Sequence, residues 1–397
     1  MRNFGLLPRI ILAIGLGILI GSFVPEWTIQ LFSTFNGIFG NFLGFAIPLI
    51  IIGFIAPGIG QMGRGAGKLL SLTAGIAYLS TVIAGTLAFG TGSFLFPKFL
   101  QTGAFLENIE NPEEVLLSPF FEVEMQPIMD VMTALLLSFT LGLGIAALKS
   151  DALQNVMIDF RSIIEKLISV IIIPLLPFHI FGIFANMTHG GQVAAIMSTF
   201  AKVFVVIIAL HIVMLMIQYT TAGILARKNV FSLLKTMMPA YFTALGTQSS
   251  ASTIPVTLRQ TKKNGIRERI ADFVVPLCAT IHLSGSTITL VSCSMAVMFL
   301  NGQTPTFATL FPFILMLGVT MIAAPGVPGG AVMAALGLLQ SMLGFNETMV
   351  SLMIALYLAQ DSLGTACNVT GDGAIATIVD KLSPSKSLKH ISESKAG

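Results

Sequence analysis

Four polar residues near the C-terminal end stand at helical spacing. Asp361, Thr365, Asn368 and Asp372 fall at i, i+4, i+7 and i+11 within LAQDSLGTACNVTGD, residues 358 to 372. On an α-helix these offsets line up along one face. The surroundings are apolar, in a chain that is 54% hydrophobic and only 10% charged. Two carboxylates at membrane depth are expensive and call for a partner or a function. Bound cations, a bound ammonium group or protons are the available solutions. The plainer alternative is a structural carboxylate paired with a neighbouring hydroxyl or backbone amide.

The elements that must position these residues follow from composition. A mean hydropathy of +0.89 over 397 residues is far from that of a soluble globular chain. Apolar runs recur along the whole length, which predicts an all-α polytopic membrane protein. The first run, after Arg2 and Arg9, resembles a signal peptide but has no small-residue cleavage site after it, and is read as a retained helix. The net charge of +3 sits in short loops and forms no nucleic-acid stripe. Cys278, Cys293 and Cys367 all lie in apolar segments without a CxxC pair, so neither a disulfide framework nor a zinc site is expected.

Six spans are predicted first, at about 8–24, 36–61, 69–96, 127–148, 163–186 and 198–226. Arg2 and Arg9, Arg64 and Lys68, Lys149, Arg161 and Lys166, and Arg227, Lys228 and Lys235 mark alternate connections. The loop between the third and fourth spans instead carries Glu107, Glu110, Glu113, Glu114, Glu122 and Glu124, with only Lys98. The positive-inside rule then places the N-terminus in the cytoplasm and the acidic loop outside.

Beyond residue 230 the pattern becomes irregular. An apolar stretch of about 230–262 is broken by GTQSSASTIP, residues 246–255, with basic residues on both flanks. Each arm is shorter than the ~20 residues a bilayer requires, so a hairpin entering and leaving on the inside is expected. A span of about 268–300 is interrupted by HLSGST, residues 282–287. A second broken stretch, about 306–343, has APGVPGG at its centre and no lysine or arginine at its flanks, which predicts a hairpin entering from outside. The last span, about 347–380, returns to a basic tail. Oppositely oriented hairpins imply inverted repeats, and broken helices at membrane depth are tolerated where they line a cavity. Their N-terminal ends suit a carboxylate, and their free carbonyls suit a cation. The residues alone therefore predict a secondary transporter with a midplane site for a small carboxylate-bearing solute, coupled to a cation.

The ordered segments GTQSSASTIPVT, VPLCATIHLSGS, AAPGVPGG and NVTGD resemble the signature segments of the glutamate transporter family, the dicarboxylate/amino acid:cation symporters. The resemblance runs through essentially the whole chain and is densest over about 230–380. It implies eight transmembrane helices plus two re-entrant hairpins, in a homotrimer of elevator type in the bacterial cytoplasmic membrane, with both termini cytoplasmic. The implied scaffold is 1–68 and 101–192, the implied transport domain 69–100 and 193–382, and the cytoplasmic tail 383–397. Asp361 matches the position that binds the substrate's ammonium group, and Thr365 and Asn368 match further substrate contacts. Ser249 and Ser250 match the inner hairpin tip that cradles the α-carboxylate. Gly326, Val327, Pro328 and Gly329 match the outer hairpin tip, an extracellular gate. The implied cation is sodium, co-transported, with Cys278, Thr280, His282, Asn368 and Asp372 as the candidate site. No organic cofactor is implied.

The departures from the family pattern carry the substrate expectation. Acidic-substrate members hold an arginine at the position of Gly364, and another at that of Gln248. Without them an acidic side chain would be buried unpaired, which costs several kcal/mol. A neutral substrate is expected, and Gly364 is expected to leave extra space. In the family's NMDGT segment, His282 replaces the asparagine and Ser284 the aspartate, which puts one sodium site in doubt. Imidazole is an unusual sodium ligand and carries a proton near neutral pH; a satisfied core histidine is the plainer reading. Tyr78, Ser80 and Thr81 are candidates to line the same region. His179, His189 and His211 have no motif around them and are read as structural. The expected function is sodium-coupled uptake of a serine-, threonine- or alanine-like L-amino acid. Proton coupling, a dicarboxylate or acidic amino acid substrate, and an ion channel stand as alternatives. No nucleophile–base pair or metal motif points to an enzyme.

Overall fold

The computed structural model describes residues 6–64, 67–100, 117–148, 150–191, 193–321, 324 and 328–383. Every regular element among them is helical: α1 (Leu6–Gly21), α2 (Glu26–Arg64), α3 (Gly67–Phe99), α4 (Val131–Leu148), α5 (Asp151–Leu167), α6 (Ile173–His189), α7 (Val193–Ala226), α8 (Val230–Thr247), α9 (Ser250–Lys263), α10 (Glu268–Ile281), α11 (Ser284–Leu300), α12 (Phe307–Met321), α13 (Gly330–Leu343) and α14 (Glu347–Leu382). A π-helical turn, Ile168–Ile172, joins α5 to α6. Six stretches are long and apolar enough to cross a membrane, and shorter apolar helices accompany them. The chain is thus an all-α polytopic membrane protein. Exposed leucine, phenylalanine and valine side chains such as Leu12, Leu136, Phe178 and Val205 dot its outer faces, as a lipid-facing surface requires.

Helix limits depart from the expected spans where polar residues dilute the hydropathy. α2 begins at Glu26 rather than near 36, and carries Pro48 and Pro57 within it. α5 begins at Asp151 rather than near 163, because its first turns are amphipathic: Gln154, Met157 and Ile164 are buried while charged residues face outward. The acidic residues Glu107, Glu110, Glu113 and Glu114 lie outside the described residues, as do Gly326 and Val327.

Two of the three predicted interruptions are described in full and are short, and the third falls between α12 and α13, where 324, 328 and 329 are described. α8 ends at Gln248, a non-glycine residue in the left-handed region at φ 53°, and α9 starts two residues later. Such a conformation costs about 1–2 kcal/mol without glycine and is held by its surroundings. Ser249 caps α9 by accepting from Ser252 N–H at 3.2 Å, so the serine run starts a helix rather than a loop. α10 and α11 are separated by His282 and Leu283. Between α12 and α13, Gly329 sits at φ +74°, where a side chain would be strained.

α8 and α9 pack on each other and against α14, and α12 and α13 form a second such pair. The second arm, α13, also packs on α2 and α4. α11 is buried on every side and α14 almost so, which places the polar face of α14 in the interior. At one end Arg267 ties α10 to α14: its Nε donates to Asp380 Oδ1 at 2.6 Å and its guanidinium also reaches the terminal carbonyls of Asp380 and Ser383. A cation at a helix C-terminus meets both the carbonyls and the dipole.

Candidate substrate and cation site

The site is built where α14 passes the break between α10 and α11. Close approach is what the sequence supplies here. A Cβ on Gly285 would lie 2.5 Å from the Gly364 carbonyl and 2.6 Å from Cys367 Cβ, so only glycine lets the two backbones meet. Asn368 then fastens the contact. Its Oδ1 accepts from Gly285 N–H at 2.7 Å and Ser286 N–H at 3.3 Å, and its Nδ2 donates to Ser286 Oγ at 2.9 Å. His211, on α7, bonds from the other side through Nε2 to the Gly285 carbonyl at 3.0 Å. The first turn of α11 is therefore held through both its amides and a carbonyl.

Beside this crossing is a cavity of about 20 Å³, lined among others by Gln248, Ser250, Ser286, Tyr357, Asp361 and Thr365. That volume holds about one water molecule. Three helices, α9, α11 and α13, begin at its wall, through Ser250, Ser286 and Ala331. Their positive ends favour an anionic group. Asp361 is the one carboxylate among the described lining residues, and no lysine or arginine is among them. Its Oδ2 accepts from Gly329 N–H at 2.7 Å, so the turn that leads into α13 is bonded directly to it.

About three helical turns beyond Asp361 on α14, Asp372 faces a second polar cluster. His282 Nδ1 lies 2.9 Å from Asp372 Oδ1, with both side chains buried. His282 Nε2 lies 3.0 Å from Ser80 Oγ and 3.2 Å from Gln218 Nε2. Gln218 also donates to Ser80 at 2.9 Å and to Ser284 at 3.1 Å. The carboxylate is thus paired with an imidazole, and helices α3, α7, α11 and α14 converge on the pair.

The structure brings together Ser250, Asp361, Thr365 and Asn368 at the cavity, and His282 and Asp372 at the adjoining cluster. Ser249 caps α9 behind Ser250, and Gly329 and Pro328 form the turn before α13. Gly364 does not open the cavity as expected: a Cβ there would lie 3.4 Å from Ser286 N, because the glycine faces the α11 backbone. Of the other candidate sodium residues, the Cys278 thiol is buried with Val274, Val275 and Ile375 within electrostatic reach of Asp372, and the Thr280 hydroxyl donates to its own helix at Leu277 O, 2.8 Å away. Of the three candidates in α3, Ser80 reaches His282, Thr81 bonds back to Ala77 O, and Tyr78 packs against α12 through Leu315 O.

Sequence reasoning missed Gln218 and Tyr357, and took His211 as structural without seeing what it holds. A lone glutamine in the apolar run LMIQYT was a usable signal for Gln218. Tyr357 continues the α14 face one turn before Asp361. A larger cavity of about 270 Å³ lies between α2, α6 and the start of α14. Its buried polar groups are bonded to one another, His179 to Ser351 at 2.9 Å and Asn186 to Ser33 at 2.8 Å, and none of the candidate substrate or cation residues lines it.

Known proteins resemble this chain over most of its length. The serine/threonine transporter SstT of Acinetobacter baumannii, in strains AYE and AB0057, is 27% identical over 396 residues, covering 95% of this chain and 97% of the relative. Excitatory amino acid transporter 2 of Homo sapiens is 28% identical over 287 residues, 70% of this chain and 49% of that protein. The model of the sodium:dicarboxylate symporter family matches residues 6–382, and the chain belongs to that family of cation-coupled secondary transporters rather than to any class of enzyme.

Proposed function

We infer that the protein is a sodium-coupled symporter for a small neutral L-amino acid, with serine, threonine or alanine as substrates. The observation that carries this reading is the cavity lining: one carboxylate, three helix N-termini and, among the described residues, no cationic side chain. An amino acid satisfies such a wall with its ammonium on Asp361 and its α-carboxylate on the helix ends. Aspartate or glutamate would add a buried charge without a partner. The serine/threonine transporters among the relatives agree with this choice. The family's description names sodium, and in this reading Asn368 and Asp372 help to hold it.

The cavity is too small for an amino acid, so loading requires the Gly329–Asp361 contact to open. The packing of α13 on α2 and α4 supports an elevator arrangement with the second hairpin against the scaffold, 1–68 and 101–192. The transport domain, 69–100 and 193–382, then faces the cytoplasm past the first hairpin. A homotrimer in the bacterial cytoplasmic membrane, with both termini inside, completes the reading. The His282–Asp372 pair favours a second reading, in which a proton takes the place of one sodium ion.

Calorimetric titration of the purified protein tests the assignment. Serine is expected to bind at least about tenfold more tightly in sodium chloride than in choline chloride, and at least about 100-fold more tightly than aspartate. Sodium-independent binding would remove sodium from the mechanism, and a preference for aspartate would overturn the neutral substrate.

A further inference from the structure

We propose that Tyr357 is a specificity residue whose phenolic hydroxyl bonds to the side chain of the substrate and selects a short hydroxyl-bearing amino acid. The proposal rests on the amino acid reading above and names the subsite within it. Tyr357 lies one turn before Asp361 on α14, is 1% exposed, and lines the cavity. Its hydroxyl is buried, sits beside the Asp361 carboxylate and the Ser286 hydroxyl, and makes no well-formed hydrogen bond to either or to any other described residue.

An unmet buried hydroxyl is costly, and native structures keep few of them without a reason. The other orphaned side-chain atoms, among them Gln218 Oε1, Gln360 Oε1 and Thr370 Oγ1, belong to residues that do not line this cavity. Tyr357 is the one that does. The neighbouring polar groups are already engaged: Asp361 Oδ2 by Gly329, Asn368 by the α11 amides and Ser286. What remains at the wall is a phenol beside a carboxylate and the Ser286 hydroxyl. A substrate methyl would leave that phenol unpaired. A side-chain carboxylate would gain one hydrogen bond but no cation. A side-chain hydroxyl can both donate and accept, and so meets the phenol in either sense. A site that bonds a substrate hydroxyl rejects the analogue lacking it, whereas a purely apolar pocket does not.

The test is uptake of serine and alanine by the full-length protein and by Tyr357→Phe in proteoliposomes. The wild-type protein is expected to prefer serine over alanine by about tenfold in kcat/KM. In Tyr357→Phe the serine KM rises by about that factor and the serine-to-alanine ratio falls toward one, with the remaining alanine uptake reporting a folded variant. A serine-to-alanine ratio that stays within about twofold of the wild-type value overturns the role of Tyr357. If the variant transports nothing, competition in the wild-type protein decides: serine must displace label better than alanine and O-methylserine, and equal displacement overturns the proposal. Failure of the wild-type protein to take up any neutral amino acid would instead overturn the reading beneath it.

Discussion

His282 Nδ1 lies 2.9 Å from Asp372 Oδ1, deep between α11 and α14, so the carboxylate nearest the candidate cation region has an imidazole for a partner. Residues on four helices converge on that pair, through Ser80, Gln218 and Ser284. Such a network fixes the relative position of the helices only while every member is satisfied. Asp372→Asn removes its one negative charge. The half-saturating sodium concentration for serine uptake is expected to rise at least about tenfold. An unaltered sodium titration would take Asp372 out of ion coupling.

Asp361 holds the start of α13 through Gly329 N–H and, in the proposed function, exchanges that bond for the substrate's ammonium. Losing one member of a buried charge-assisted contact costs about 2–5 kcal/mol. Asp361→Asn should therefore weaken serine binding by about 100-fold or more in calorimetric titration. Affinity equal to wild type would show that the ammonium binds elsewhere.

Gly364 faces Ser286, which lines the cavity, at a distance that leaves an added Cβ in ordinary contact. Gly364→Arg should bring a cation to the cavity and shift preference from serine toward aspartate by at least about tenfold, read from competition assays. No shift would mean that a side chain at 364 runs along the α11 backbone instead of into the site.

Much of this was legible in the sequence for one physical reason: polar residues inside apolar helices are conspicuous. Asp361, Thr365, Asn368 and Asp372 are all buried on α14, and the breaks after α8 and after α10 fall within their expected segments. What was illegible depends on partners far apart in the chain. Nothing local links Gln218 to Ser80 or His282, and nothing local says that His282 meets Asp372. Gly364 misled for a related reason. A glycine reads as space until its neighbour is known, and here the neighbour is backbone.

Ser252, in the first turn of α9, is exposed, and the three cysteines are buried. Ser252→Cys should therefore be labelled by a membrane-impermeant maleimide applied from the cytoplasmic side, with little background. Labelling from the opposite side alone would reverse the proposed orientation and direction of opening.

The central claim, coupled transport of a neutral amino acid, is tested most directly by uptake of radiolabelled serine, alanine, aspartate and succinate into proteoliposomes under an inward sodium gradient. The account predicts accumulation of serine above its external concentration, abolished when sodium is replaced by choline and absent for aspartate and succinate. Accumulation of aspartate or succinate, serine uptake driven by a proton gradient alone, or equilibration without accumulation would contradict it.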